Sequence, residues 1–166
     1  GKRLGIMGVG ANGLRMARAG YDVGMIVTGY DPYLSTHRKE ELKQFLTFTD
    51  DLDHLLAEND FITVHIPLNA QNESFIGKEA IAKMKDGVHL INYARGPIVD
   101  DDALIEALEN GKVKTYATDL RKDGIHFLGY IVKAERKRKT PNPSTWSEHL
   151  VGKPLPDMER LSKKIH

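Results

Sequence analysis

The chain has 166 residues, of which 40% are hydrophobic and 28% are charged, and its formal net charge is +1. This length is typical of one domain, and no apolar run reaches the ~18 residues that a membrane span requires. So small a net charge gives the whole chain no electrostatic preference for nucleic acid or anionic lipid. The absence of cysteine excludes disulfides, thiolate metal sites and a thiol nucleophile.

The first residues lead straight into an apolar segment and lack the charged, apolar and small-residue zones of a secretion signal. A chain without cysteine also fits the reducing interior of a cell. The sequence therefore predicts a cytoplasmic protein with no membrane partner and no bound metal.

Short apolar runs alternate with helical stretches from the start of the chain. The predicted strands are Arg3–Met7, Met25–Tyr30, Phe61–Ile66, Val88–Asn92 and Val113–Thr118. The predicted helices are Ala11–Ala19, Gly77–Lys85 with Gly87 at its end, and Ala103–Glu109 between a cap in Asp100–Asp102 and Gly111. Such alternation is typical of a parallel sheet with helices on both faces. The sequence therefore predicts an α/β fold, a doubly wound parallel sheet in a single three-layer domain.

The last part of the chain has a different composition. Residues 133–139 form a basic run, residues 140–147 are rich in proline and small polar residues, and Met158–Ile165 is predicted to be a short helix. We therefore predict a main domain over residues 1–132 and a divergent C-terminal segment over residues 133–166. The basic run has no aromatic residues between its charges, which favours a solvated surface over a nucleic-acid site.

A glycine motif, Gly-Val-Gly-Ala-Asn-Gly, begins at Gly8, directly after the first predicted strand. At such a turn the first glycine permits a tight bend, the second permits a diphosphate to approach, and the third permits close packing of helix on strand. The helix N-terminus adds partial positive charge. The motif predicts a Rossmann-like dinucleotide site that includes Gly8, Gly10, Ala11, Asn12 and Gly13.

Asp31 ends the second predicted strand, 18 positions after Gly13. An acid about 20 residues beyond the glycine motif commonly accepts hydrogen bonds from the adenosine ribose. Asp31-Pro32 could instead begin a turn. A carboxylate at this place repels a 2′-phosphate, which favours NAD over NADP as the cofactor. The basic run His37–Lys39 leaves NADP open, because these side chains could neutralise such a phosphate.

Several further segments resemble the NAD-binding domain of the D-2-hydroxyacid dehydrogenases, and among these the phosphoglycerate dehydrogenases most closely. The resemblance runs from Gly1 to about Asp119. It rests on 1–10, 29–33, 60–68 (Asp-Phe-Ile-Thr-Val-His-Ile-Pro-Leu), 76–78, 84–87, 91–96 (Ile-Asn-Tyr-Ala-Arg-Gly), 99–104 and 117–119. Such a set of motifs in register makes chance similarity improbable.

The resemblance implies hydride exchange between NAD(H) and the C2 carbon of a small 2-hydroxy or 2-oxo acid. It implies that Arg95 holds the substrate carboxylate, a task that suits a guanidinium with its paired hydrogen bonds. Asp119 would lie near the nicotinamide carboxamide, His65 and Pro67 would border the adenine, and Ala94 would contact the cofactor. Without the resemblance, Arg95 could be a solvated arginine and His65 a packed histidine.

The chain departs from the family pattern at two catalytic positions. Gly124 stands where the family has a glutamate that orients a histidine, and Asn142 stands where that histidine follows Thr-Pro. Neither residue can take part in the acid–base chemistry that reduction of a keto acid needs. Asp123 is adjacent to the glutamate position but is shorter and out of register, and His149, the only histidine near Asn142, requires a rearranged loop.

These observations lead to one main hypothesis and one alternative. The main hypothesis is an NAD(H)-binding domain of a D-2-hydroxyacid dehydrogenase-type oxidoreductase whose substrate domain is missing from this chain, so that the chain alone is weakly active or inactive. The alternative is a non-catalytic nucleotide-binding protein or an engineered Rossmann scaffold that has lost the catalytic glutamate and histidine. A homodimer is a further possibility, because faces that the substrate domain would cover could pair with a second copy of the chain. A nucleic-acid module at residues 133–139 is the least favoured function.

Overall fold

The computed structural model describes residues 1–118 and, beyond them, the backbone of two short strands. Within the first range, six strands form one parallel sheet. They are β1 (Arg3–Met7), β2 (Ile26–Tyr30), β3 (Thr47–Phe48), β4 (Phe61–Val64), β5 (Val88–Asn92) and β6 (Val113–Thr118). Their spatial order is β3-β2-β1-β4-β5-β6, the doubly wound arrangement of a dinucleotide-binding sheet. The predicted fold class is confirmed.

Two further strands, β7 (His126–Phe127) and β8 (Tyr130–Ile131), pair antiparallel. The predicted helix Met158–Ile165, the basic run 133–139 and the boundary at residue 132 lie outside the described residues.

Helices connect the strands of the sheet. They are α1 (Ala11–Asp22), α2 (Thr36–Leu42), α3 (Leu52–Glu58), α4 (Lys78–Lys83) and α5 (Asp101–Glu109). A 3-10 turn, Gly96–Ile98, precedes α5. None of the helices in residues 1–118 combines the length and the apolarity that crossing a bilayer demands.

Two apolar clusters on opposite faces of the sheet form the core. Alternate residues of a strand point to opposite faces, so Leu4 and Ile6 belong to the cluster under α1 and α2, whereas Met7 belongs to the cluster under α3, α4 and α5. The first cluster also contains Val9, Ala17, Val27, Leu42, Phe45 and Leu46. The second includes Leu55, Leu56, Ile62, Ile81, Leu90 and Leu104. The chain therefore has the predicted three layers.

Several helices and strands end at residues other than the predicted ones. Helix α1 continues three residues beyond Ala19, and β4 ends at Val64. Helix α4 is shorter than predicted because Met84 is already extended, with ψ 162°, so Gly87, at φ +74°, serves the turn before β5 and not the helix end. At α5 the predicted caps are present.

The caps of α5 follow the sequence closely. The carboxylate of Asp100 accepts a hydrogen bond from the backbone N–H of Ala103 at 2.8 Å. Gly111 has φ +79°, directly after the cap residue Asn110. The left-handed conformation suits glycine because it has no Cβ.

The sequence did not predict α2, β3 and α3 within residues 1–118, nor the strands β7 and β8 beyond them. Each helix begins at a polar cap. The Ser35 hydroxyl accepts from the Arg38 N–H, and the Asp51 carboxylate accepts from the N–H groups of Asp53 and His54. Helix α2 buries only Leu42, so its sequence has no apolar periodicity from which a helix could be predicted.

Candidate functional site at the carboxyl edge of the sheet

The chain order reverses between β1 and β4, the two central strands. β2 and β3 lie on one side of β1, and β5 and β6 lie beyond β4 on the other. In open parallel sheets, the loops after two such strands separate and leave a crevice at the carboxyl ends. The loops after β1, β2, β4 and β5 all lie at this carboxyl edge of the sheet, and they contain most of the predicted site residues.

The three glycines after β1 meet different surroundings. Gly8 has φ +87°, and a Cβ there would lie 3.1 Å from the carbonyl carbon of His65. A Cβ on Gly13 would lie 1.9 Å from the carbonyl oxygen of Gly8, so α1 can approach β1 only because residue 13 is glycine. A Cβ on Gly10 would meet no atom within 4 Å in the described part of the chain. Gly8 and Gly13 thus serve the fold, and Gly10 leaves the backbone open to a ligand.

The start of α1 fits an anion. Gly10 is its cap residue, and the first turn of this fully described helix has neither a side-chain cap nor an acidic residue. Ala11 and Asn12 are exposed there. The first N–H groups of a helix have no acceptor within it, and the helix dipole places partial positive charge at the same end. A diphosphate is the chemical group that this turn suits.

Asp31 connects the glycine turn to the loop after β2. Its Oδ2 accepts a hydrogen bond from the Val9 N–H at 2.9 Å, and its Oδ1 accepts from the Tyr33 N–H at 3.0 Å. The residue therefore begins a turn, as one interpretation of the sequence held. Each carboxylate oxygen can accept a second hydrogen bond, so a ribose hydroxyl could also bind there.

His65 lies on the other side of the glycine turn, where its backbone N–H donates to the Met7 carbonyl at 2.8 Å. The half-buried ring has Nε2 2.9 Å from the Thr63 hydroxyl. Its Nδ1 is buried and has no hydrogen-bond partner among the described residues. Burial lowers the pKa of His65 below its ordinary value of 6.5. Pro67, two residues on, is exposed. A neutral imidazole with an unsatisfied nitrogen beside the turn suits a polar ligand group.

Arg95 lies in the loop after β5 with an exposed side chain. Its Nη1 donates to the Ala94 carbonyl at 2.7 Å, and within residues 1–118 its guanidinium forms no ion pair. Ala94 itself is buried, so it can offer a ligand little beyond its backbone. The charge of Arg95 is therefore available to an anion at the crevice.

Asn92, the last residue of β5, shapes this loop and was not singled out from the sequence. It is 0% exposed. Its Nδ2 donates to the Arg95 carbonyl at 2.9 Å and to the Tyr116 hydroxyl at 3.2 Å, and its Oδ1 accepts from the Ala94 N–H at 3.1 Å. The Asn92 side chain therefore holds the backbone of both Ala94 and Arg95 in place. A polar residue ending an apolar strand just before Tyr-Ala-Arg was the available signal.

Backbone contacts join the loop after β4 to the loop after β5. The Ser74 N–H donates to the Pro97 carbonyl at 2.7 Å, and the Ile76 N–H donates to the Ile98 carbonyl at 2.9 Å. The Ile76 carbonyl accepts from the Asp100 N–H at 3.1 Å. The two loops therefore form one unit on the β5 side of the crevice.

Three predicted site residues, Asp119, Asp123 and His149, lie outside the described residues. The basic run His37–Lys39 lies at the start of α2, where each side chain is next to an acid.

Comparisons with known proteins agree with this geometry. Residues 1–142 match the family model described as D-isomer specific 2-hydroxyacid dehydrogenase, NAD binding domain. The chain is similar to D-3-phosphoglycerate dehydrogenase of Archaeoglobus fulgidus, with 43% identity over 120 residues, 72% of this chain and 22% of that protein. It is also similar to an aromatic 2-oxoacid reductase of Clostridium sporogenes, with 43% identity over 117 residues, 70% of this chain and 34% of that protein.

A solved structure supports the same assignment. The D-lactate dehydrogenase from Aquifex aeolicus, complexed with NAD and lactic acid, matches with a TM-score of 0.67 and 41% identity, over 74% of this chain and 35% of that one. The fold and the glycine turn define a Rossmann-type dinucleotide-binding domain. The chain belongs to the family of D-isomer specific 2-hydroxyacid dehydrogenases, of which it is the NAD-binding domain. It spans only 22% to 34% of the length of the two curated relatives above. The resemblance predicted from the motifs is confirmed, and so is NAD as the cofactor.

Proposed function

We propose that the chain supplies the cofactor half of an enzyme that exchanges hydride between NAD(H) and the C2 carbon of a small 2-oxo or 2-hydroxy acid. The observation that carries this proposal is the hydrogen bond from the Val9 N–H to the Asp31 carboxylate. This hydrogen bond connects Asp31, the acid that is expected to bind the adenosine ribose, to the glycine turn that is expected to bind the diphosphate. The substrate surface is expected in another domain, because the chain spans a minor part of its relatives.

The residues of the β1 and β2 loops bind and orient the cofactor in this proposal. N–H groups at the start of α1 would donate to the diphosphate, and Gly10 would leave room for it because it has no side chain. Asp31 accepts from the ribose hydroxyls. When bound, the nicotinamide supplies the hydride acceptor or donor.

The β5 loop orients the acid substrate in this proposal. The exposed guanidinium of Arg95, which forms no ion pair within residues 1–118, binds the substrate carboxylate through two parallel charge-assisted hydrogen bonds. Asn92 keeps the backbone of Arg95 in place through the carbonyl contact at 2.9 Å. The proton donor is expected outside residues 1–118, where Asp123 and His149 stay predictions.

Calorimetric titration of NADH and of NADPH into the purified chain tests the cofactor site. We expect saturable binding that favours NADH. Gly10→Val is the matched variant, because it places a branched side chain on the open face of the turn and should abolish binding while the unfolding temperature is retained. If neither cofactor binds to the wild-type chain, the glycine turn is architecture only, and the non-catalytic scaffold becomes the better account.

The same preparation tests the substrate and the assembly. Because most of the substrate surface is expected in another domain, we expect only weak pyruvate binding by the NADH-bound chain, and Arg95→Gln should weaken it further; equal binding to both would contradict the role of Arg95. The homodimer and the cytoplasmic location also stay predictions. Apolar side chains at the junction of α1 and β2 (Tyr21, Val23 and Ile26), 48% to 76% exposed, support self-association, and a monomer in sedimentation at high concentration would argue against it.

A further inference from the structure

Three basic residues follow the ribose-binding acid at the start of α2, and all three are next to acids. Arg38 Nη1 lies 2.7 Å from Glu41 Oε2, and His37 Nε2 lies 3.4 Å from Glu41 Oε1. Lys39 Nζ lies 2.6 Å from Asp50 Oδ1. Two of the three basic residues therefore contact the same carboxylate, that of Glu41.

Arg38 lies in the first turn of α2, the end of the helix that follows the Asp31 turn. Helical side chains tilt towards the N-terminus of their helix, so a free Arg38 side chain would extend towards the loop where the adenosine ribose is expected. The ion pair with Glu41, at the ordinary three-residue spacing of a helix face, occupies its guanidinium instead.

Lys39 does not contact Glu41 and has partners of its own. Its side chain is 19% exposed and pairs with Asp50, two residues after β3. Its Nζ also lies over the Phe48 ring, 5.7 Å from the ring centroid. Removing Glu41 would leave these contacts intact. Only Arg38 and His37 would then be released.

We propose that Glu41 favours NAD over NADP by pairing with Arg38 and His37, so that the Arg38 guanidinium is not free to compensate a 2′-phosphate. This inference rests on the proposed function, because it assumes that the ribose binds at Asp31. A free arginine is the side chain best suited to a phosphate, which it can bind through two hydrogen bonds. The pair is exposed, and exposed ion pairs are weak, so the expected change in NADPH affinity on removing Glu41 is modest.

The test compares Glu41→Gln with Glu40→Gln in the full chain, with NADH and NADPH titrated calorimetrically at low ionic strength. Both variants remove one negative charge from α2. Glu40 pairs with Lys43 at the same three-residue spacing, so only Glu41→Gln frees Arg38. We expect Glu41→Gln to raise the affinity for NADPH about threefold to tenfold and to leave the affinity for NADH within about twofold. Glu40→Gln should change neither by more than about twofold.

A second variant distinguishes release of Arg38 from a general charge effect. Arg38→Gln in the Glu41→Gln background should remove most of the gain in NADPH affinity. An unchanged NADPH affinity in Glu41→Gln, an equal gain in Glu40→Gln, or a gain that survives Arg38→Gln would overturn the inference while NADH binding stands. Failure of the wild-type chain to bind NADH would instead overturn the proposed function and, with it, this inference.

Discussion

The loop after β1 is shaped by glycines, whereas the loop after β5 is shaped by one buried amide. At the first loop, Gly8 and Gly13 allow β1, α1 and the backbone of His65 to come together without a Cβ between them. At the second, Asn92 makes three hydrogen bonds in a site from which water is excluded. The first loop therefore depends on the absence of side-chain atoms and the second on the presence of a polar side chain. Substitutions should damage them in different ways.

Gly13→Ala should produce the largest loss. Its Cβ would lie 1.9 Å from a backbone oxygen, so α1 must move away from β1, and we expect a loss of more than about 3 kcal/mol in the free energy of unfolding. Gly10→Ala is the matched control and should cost less than about 1 kcal/mol, because its Cβ meets no described atom. Urea denaturation of both variants checks this, and equal losses would contradict the division of roles between the glycines.

Asn92→Ala should damage the β5 loop by a different mechanism. It leaves the buried Ala94 N–H without this partner, and the Arg95 carbonyl keeps only the hydrogen bond from the Ile98 N–H at 3.2 Å. We expect a loss of about 2 to 4 kcal/mol. Asn69 supplies the control, because its Oδ1 also accepts from an N–H two residues on, that of Gln71, but at an exposed site. Asn69→Ala should cost less than about 1 kcal/mol. If the two substitutions are equally costly in urea denaturation, burial of Asn92 is not what makes it important.

This contrast explains which parts of the site could be predicted from the sequence and which could not. Glycines at fixed spacing and an acid after β2 are local signals, and they predicted the turn after β1. Asn92 gave only a weak signal, a polar residue at the end of an apolar strand, and its contact with Tyr116, 24 residues away, exists only once β5 and β6 pair. Helix α2 was missed for a related reason, since Leu42 is its sole buried residue and its start depends on the Ser35 cap.

Asp31→Asn should have a moderate effect that is confined to the β1 side of the crevice. The amide retains the shape and one acceptor but loses the charge. We expect NADH affinity to fall about threefold to tenfold and the preference for NADH over NADPH to narrow. Asp22→Asn, an exposed acid at the end of α1, should change neither affinity in the same titrations. If Asp31→Asn is equally silent, Asp31 is a turn residue and does not bind the ribose.

Substitution of His65 should have the smallest effect. His65 follows β4, and so lies between the loop after β1 and the loop after β5. Burial lowers its pKa in the folded chain below the ordinary 6.5, so the unfolded chain binds the proton more readily. The stability that the neutral ring contributes is present above pH 6.5 and is lost as the pH falls through the folded pKa. His65→Gln should therefore flatten the fall in the free energy of unfolding between neutral and mildly acidic pH, whereas His54→Gln, on the exposed surface of α3, should not. Bound NADH should steepen the same fall if a cofactor group donates a hydrogen bond to the neutral ring, because protonation would remove that acceptor and oppose both folding and binding. A slope that NADH leaves unchanged would place His65 in the packing of the glycine turn alone.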